Sequence, residues 1–397
     1  MKEYTTILER KFIMAKRERI EELFYIRAIA ALGILVIHAT GSFAVLSEYG
    51  SKAMYLGVFL NQFFRFGSPV FMMVSGLVLF YNYRSLDEFD AARFYKKKLK
   101  YIFLPYVIWS TIYFLYSHYI SGVPLSGEGK VLLRGILFGE SYSHLYFIFL
   151  IFQFYILVPL ILKYLIKPMK EKPVRVFLIF VIIQGTILIY QYYLKNYDAT
   201  GIARLFNKYY WKTVFGWSAY FITGGLIGLH YKKVVDYIEN NIKGIVVAYI
   251  IVTILYVGQV YMSIYSNQGR DYYGKFGSIR PHTMVYAFFT MAILIYITRK
   301  IAMKDNFLTR NLKDFGTYSF GVYFIHPLIL GEIKLKLMSA FPQTIGYSRL
   351  TSLVLITGLG IIITYLVVLL IGSTSIRGLL IGKIPKYKWK REVSTNV

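Results

Sequence analysis

LFYIRAIAALGILVIHATGSFAVL (Leu23–Leu46) is an apolar run long enough to cross a bilayer, and it contains one cation, Arg27, and one imidazole, His38. At ~1.5 Å rise per residue, a helix sets the two ~16 Å apart along its axis. At ~100° per residue, their separation makes three turns plus ~20°, so both project from one face. Ala31 and Ile34 lie between them on that face, with Gly41 and Ser42 beyond. A charged or titratable group inside hydrocarbon is costly unless it faces a cavity or a partner. The pair therefore reads as the wall of a site that runs from one membrane surface towards the middle.

The rest of the chain extends this pattern. Of 397 residues, 56% are hydrophobic and 18% aromatic, which suits a polytopic membrane protein and not a soluble domain of this length. Ten runs of helical length are expected as spans: 23–46, 55–81, 101–120, 142–165, 174–194, 213–230, 244–264, 282–298, 315–334 and 350–372. The expected fold is all-α. An even number puts both termini on one side. Segments sharing that side hold 31 of the 46 Lys and Arg residues against 13 on the other, and Arg27 and Arg65 lie inside spans. The bias assigns both termini to the cytoplasm of a bacterial cell membrane. The expected organisation is a cytoplasmic segment 1–22, a membrane domain 23–372 and a basic tail 373–397, with the first helix as a signal anchor.

Composition also excludes function classes. There is no cysteine, so disulfide and thiolate chemistry are out. The formal charge of +26 is spread in short clusters between apolar runs, which argues against a nucleic-acid partner and for the lipid bilayer. Non-spanning pieces are too short to bury a core, so any chemistry lies among the helices. No inverted repeat of the transporter type is evident.

Further polar residues fall inside the expected spans. NQFFRFGSPVFMMVSG places Asn61, Arg65, Ser68, Met72 and Ser75 on one face of the second, with Pro69 positioned to free backbone carbonyls. GTYSFGVYFIHPLIL places Gly316, Ser319, Tyr323 and His326 together in the ninth, with Pro327 directly after the histidine. GESYSHLYF at the fourth puts Glu140, Tyr142 and His144 near the outer surface, the expected acceptor side. FYKKKLKYIFLPY supplies Lys97, Lys98 and Lys100 just before the third. Each alone has an ordinary reading as a packing residue, an interfacial anchor or a topology signal. His118, His230 and His282 fall at span ends and receive no role. His38, Arg65 and His326, on three spans at similar depth, form the constellation that calls for a function.

A histidine with an unperturbed pKa near neutrality can take a proton from a hydroxyl, and acyl transfer to a sugar hydroxyl needs such a base. A neighbouring Arg or second His can stabilise the oxyanion. The bacterial donor of choice is a cytoplasmic acyl-CoA thioester, acetyl-CoA first. Its phosphates would sit at Arg27 and the Lys97–Lys100 run, its pantetheine arm along the Arg27–Ala31–Ile34 face, and its thioester at His38. Neither a metal nor a bound cofactor is required.

Arg-x10-His in the first span, FFRFGSPVFMMVSG in the second, the basic run before a Pro-Tyr at the third, SHLYF at the fourth and YSFGVYFIHP at the ninth together resemble the acyltransferase 3 family. These are integral-membrane enzymes that O-acetylate or O-succinylate surface polysaccharides and related acceptors. The resemblance implies His38 as the essential catalytic residue and Arg27 as its partner towards the donor. Arg65, Ser68, Tyr323 and His326 are then candidates for site wall or oxyanion contact. The family's Arg-x-x-Arg before span 3 is replaced here by Lys98 and Tyr101. The first change keeps the charge without the bidentate fork, the second loses it, and Lys97 and Lys100 are the substitutes at hand. The chain resembles the membrane-only branch, which includes proteins placed with biofilm-polysaccharide (intercellular adhesin) synthesis and also read as exporters. The function expected is transfer of a short acyl group to a cell-surface glycan or lipid-linked acceptor. The alternative is a polysaccharide exporter or flippase that makes no bond.

Overall fold

The computed structural model describes residues 18–195, 198–266 and 277–387. Residues 1–17 of the expected N-terminal segment and 388–397 of the expected tail lie outside them. Among the described residues the regular structure is helical throughout, as expected for an all-α membrane protein.

Among the described residues, eight helices are long and apolar enough to cross a membrane. They are α1 (Glu22–Leu46), α2 (Lys52–Asn82), α3 (Ala91–Ser121), α5 (Tyr146–Glu171), α6 (Pro173–Leu194), α10 (Ile242–Ser266), α11 (Pro281–Ala302) and α14 (Leu350–Ser373). The other two expected spans are also helices, but of a different kind. α8 (Ser218–Leu229) has 12 residues, and nearly all of it is buried. α13 (Ser319–Ala340) carries Glu332, Lys334 and Lys336 in its second half. Shorter helices join these: α4 (Gly129–Phe138), α7 (Gly201–Tyr209), α9 (Tyr231–Asn240), α12 (Phe307–Thr317) and α15 (Arg377–Leu380).

α8 is covered by protein along nearly its whole length. It lies against α2 so closely that a Cβ on Gly224 would stand 1.8 Å from the Met73 carbonyl oxygen, and one on Gly76 would stand 2.0 Å from that of Phe221. Only glycine permits two helix backbones to approach like this, and in a membrane such van der Waals contact is a main source of association. α10, by contrast, is mostly exposed and shows Ile250, Ile251, Ile254 and Leu255 outward, as a lipid-facing helix does. α1 is the central helix: α2, α11, α12, α13 and α14 all pack on it. Its burial places the Arg27–His38 face inside the bundle.

Candidate active site

α2 is not one regular helix. It passes through a tight turn at Phe64–Phe66 before resuming at Gly67. Pro69 has no N–H for the carbonyl four residues back, which belongs to Arg65. Ser278 from the segment before α11 donates to that oxygen at 3.4 Å. The turn sets Arg65 facing α1, where its guanidinium donates to Asn61 Oδ1. Asn61 in turn donates to the carbonyl of Ile37, the residue before His38, at 2.8 Å. A second donor, Lys334 of α13, reaches the His38 carbonyl and Ser42 Oγ, each at 3.1 Å. The turn of α1 that bears His38 is thus held from both sides.

α13 repeats the device. Pro327 leaves the Tyr323 carbonyl without its helical donor. His326 Nδ1 lies 2.9 Å from that oxygen and 3.0 Å from the Val322 oxygen. Two carbonyl neighbours assign the proton to Nδ1, so Nε2 is an acceptor, and it has no hydrogen-bond partner. The next broken rung is bridged by Tyr113 of α3, whose hydroxyl donates to Phe324 O at 2.6 Å and accepts from Leu328 N at 3.3 Å. His326 is fully buried, its ring centroid 4.9 Å from that of His38 and 5.5 Å from that of His144.

His144 lies deeper than the outer-surface position expected for it. α5 begins at Tyr146, later than the expected start at 142, and the turn before it folds inward. His144 is 3% exposed, packed on Tyr113, Tyr142 and Tyr323, and its carbonyl accepts from the Tyr323 hydroxyl. Glu140 stays outside this cluster. It pairs with Lys212 Nζ at 2.5 Å and Arg134 Nε at 3.1 Å, and its carboxyl is held below the usual range chiefly by the hydrogen bond from that lysine. It ties the loop before α5 to Lys212 and to Arg134 of α4.

Between these elements lies a cavity of about 630 Å³. His38, Arg65, Ser68, His144 and Tyr323 line it, so five sequence candidates from four segments meet at one space. Ile34, Gly41 and Ser42 line it too, as the face of α1 requires. Tyr146, its hydroxyl beside Ser68 and within electrostatic reach of Arg65, completes that wall. Among the described residues no carboxylate lines it. Tyr146, Ser278 and Lys334 are additions that the sequence analysis did not single out. Lys334 had a visible signal, a lysine two turns beyond His326 on the same helix.

Arg27 stands at the other end of the same face, within electrostatic reach of Tyr155 on α5. Lys98 rests on that tyrosine, Nζ 4.0 Å from the ring centroid. Lys97 and Lys100 are exposed on the first turns of α3, which starts earlier than expected and carries the basic run on its own surface. His230 Nε2 and His118 Nδ1 each lie 2.9 Å from a nearby backbone oxygen (Met169 and Phe114), His282 stacks on Tyr256, and none of the three is among the residues lining the cavity.

The arrangement sets two imidazoles, a guanidinium and two tyrosines around one cavity, with Arg27 further along the same helix. Comparisons with known proteins agree in kind. An acyltransferase domain model matches residues 20–372. A Staphylococcus epidermidis protein described as a probable poly-beta-1,6-N-acetyl-D-glucosamine export protein is 26% identical over 79% of this chain and 81% of its own length. A Staphylococcus aureus protein of the same description is 25% identical over 79% and 83%. No solved structure matches. The domain match spans every helix that contributes to the cavity, and on that ground the chain belongs to the acyltransferase 3 family of multi-pass bacterial membrane proteins.

Proposed function

We propose that this protein transfers a short acyl group, acetyl in the first instance, from a cytoplasmic acyl-CoA to a hydroxyl of a cell-envelope polysaccharide or lipid-linked glycan. The observation that carries the reading is the meeting of His38, Arg65 and His144 at one cavity whose lining, among the described residues, holds no carboxylate, with His326 packed against the His38 and His144 rings. His38 takes the proton of the acceptor hydroxyl as its oxygen attacks the thioester carbonyl. Arg65 stabilises the oxyanion of the tetrahedral intermediate. That intermediate collapses with cleavage of the carbon–sulfur bond, and the departing thiolate takes the proton back from His38. His326, its ring centroid 4.9 Å from that of His38, packs beside the base and limits its orientation. The ~16 Å between Arg27 and His38 is of the order of an extended pantetheine arm, which supports donor phosphates at the basic mouth.

The descriptions of the staphylococcal relatives favour a second reading, glycan export without bond formation. A conduit needs polar and aromatic lining and no base. The experiment compares surface glycan from cells carrying wild type, His38→Gln and a deletion at matched protein level. Transfer predicts unchanged glycan amount with ester acyl groups lost in both mutants. Glycan missing from the surface in the deletion, with His38→Gln behaving as wild type, would hand the function to export.

A further inference from the structure

The segment after α14 is a basic stretch that the sequence treats as a tail, yet the structure docks it. Trp109 Nε1 of α3 donates to Leu380 O at 2.8 Å, and Tyr318 donates its hydroxyl to Pro385 O at 2.9 Å. Tyr387 N closes the loop on Gly372 O at 3.1 Å. Ile381 is fully buried, with its side chain against Gly321. Gly382 has φ +76°, and a Cβ there would stand 2.7 Å from the Tyr101 carbonyl oxygen. Both the left-handed backbone and the close approach demand glycine.

This docking brings Lys383 to the basic run. Its Nζ lies 5.9 Å from the Tyr101 ring centroid, and Lys100 Nζ lies 5.5 Å from the same ring. Lys97 is within electrostatic reach of both Lys383 and Arg93. Among the described residues, none of Lys97, Lys100 and Lys383 has a carboxylate partner. The nearby Asp90 is already engaged, its Oδ1 capping α3 through Arg93 N at 2.9 Å. Lysines that only mark topology can drift apart on loose loops. Here a specific backbone conformation and several hydrogen bonds hold like charges together, an arrangement that is unfavourable until an anion of several charges arrives.

We infer that residues 376–387 and the start of α3 form one binding site for a polyphosphorylated anion, the 3′-phosphoadenosine diphosphate end of a coenzyme A thioester, with Lys383 supplying the cation that Tyr101 does not. The inference rests on the acyl-CoA donor reading given above. An anionic phospholipid headgroup shares the same chemistry, and the test separates the two sources.

Full-length protein in phosphatidylcholine nanodiscs is titrated with coenzyme A and with 3′-dephospho-coenzyme A, for wild type, Lys383→Gln, Lys97→Gln, Gly382→Val and a control, Lys232→Gln. Melting temperatures establish that each is folded. Lys383→Gln is expected to weaken coenzyme A binding about tenfold and to narrow the gap between the two nucleotides. Gly382→Val, which keeps the lysine and disrupts the docking, should do the same, and Lys232→Gln should match wild type. If Lys383→Gln binds as wild type while Lys97→Gln does not, the tail has no part in the site and the donor reading survives. If wild type binds neither nucleotide, both the site and the donor reading fall. If the Lys383 change leaves coenzyme A affinity intact but lowers phosphatidylglycerol retained through purification, the site belongs to lipid and the inference is overturned.

Discussion

The cavity around His38 and the basic mouth around Tyr101 are built in opposite ways. In the cavity, positions are fixed by exchange of hydrogen bonds across helices: Asn61 on the Ile37 carbonyl, Lys334 on the His38 carbonyl, His326 on a carbonyl that Pro327 has freed. At the mouth, lysines rest on tyrosine faces and none of Lys97, Lys98 and Lys100 is tied to a carboxylate among the described residues. The first is an arrangement of atoms, the second an arrangement of charge. Changes in the cavity should therefore act on the rate of the chemical step and ignore salt. Changes at the mouth should act on donor affinity, in graded fashion, and fade as salt rises.

The largest effect expected is at His38. His38→Gln keeps size and a hydrogen-bonding end but removes the base, and ester transfer should fall by about 10²–10⁴-fold. The check is a turnover assay with purified protein, donor and a short glycan acceptor, in which the Michaelis constant for the donor stays within about twofold. A donor constant that collapses together with turnover would merge the two regions and break the contrast.

Pro327→Ala sharpens the same point through geometry alone. It restores a backbone N–H for the Tyr323 carbonyl, which then competes with His326 Nδ1. The tautomer and ring orientation of His326 loosen while no catalytic atom is removed. Turnover should drop by about tenfold, the scale on which loss of an orienting contact to a working imidazole is felt, with fold and melting temperature nearly unchanged. Turnover equal to wild type would show that the proline serves packing only.

How much of this was legible beforehand follows the range of the interactions involved. The face shared by His38, Gly41 and Ser42 needs only the helical period, and all three line the cavity, whereas Arg27 on the same face is not among the lining residues. Arg65, Ser68 and Tyr323 followed from the same rule on their own spans. His144 did not, because the inward fold of the turn before α5 depends on a ring packing against Tyr113 and Tyr323 from distant helices. The short α8 read as a span because hydropathy does not distinguish lipid from a neighbouring helix; Gly224 and Gly76 held the clue, but their partner carbonyls are far away in sequence. Lys334 and Lys383 looked like flanking charges for the same reason. Their roles arise from contacts across 296 residues in one case and from a left-handed glycine in the other.

The mouth predicts milder behaviour. Lys97→Gln with Lys100→Gln should raise the donor Michaelis constant by several fold at low salt, each exposed charge contributing up to about 1 kcal/mol. Raising ionic strength should shrink the difference, because the Debye length falls from ~10 Å at 0.1 M to ~3 Å at 1 M. The turnover number at saturating donor should not move. A salt-independent defect, or one in turnover alone, would mean that these lysines do structural work and that the mouth resembles the cavity after all.

The smallest effect is expected at Glu140, which belongs to neither region and so tests where the cavity ends. Its carboxyl is held below the ordinary range by the hydrogen bond from Lys212, so the unfolded chain binds its proton more readily than the folded one. Stability from the pair is then fully present above the ordinary carboxylate value, ~4.3, and is lost as pH falls through the lower folded value. Lys212 is only 3% exposed, so Glu140→Gln leaves a buried ammonium without its counter-ion. At pH 7 that should lower stability by about 1–3 kcal/mol, while acyl transfer per folded molecule stays at the wild-type level. Melting curves for the two proteins should converge as pH drops from 6 towards 3, because wild type protonates the carboxylate that the mutant lacks. A gap that persists at low pH would assign the residue a packing role instead. A turnover defect at pH 7 would carry the working site outward past His144 to the Lys212 loop.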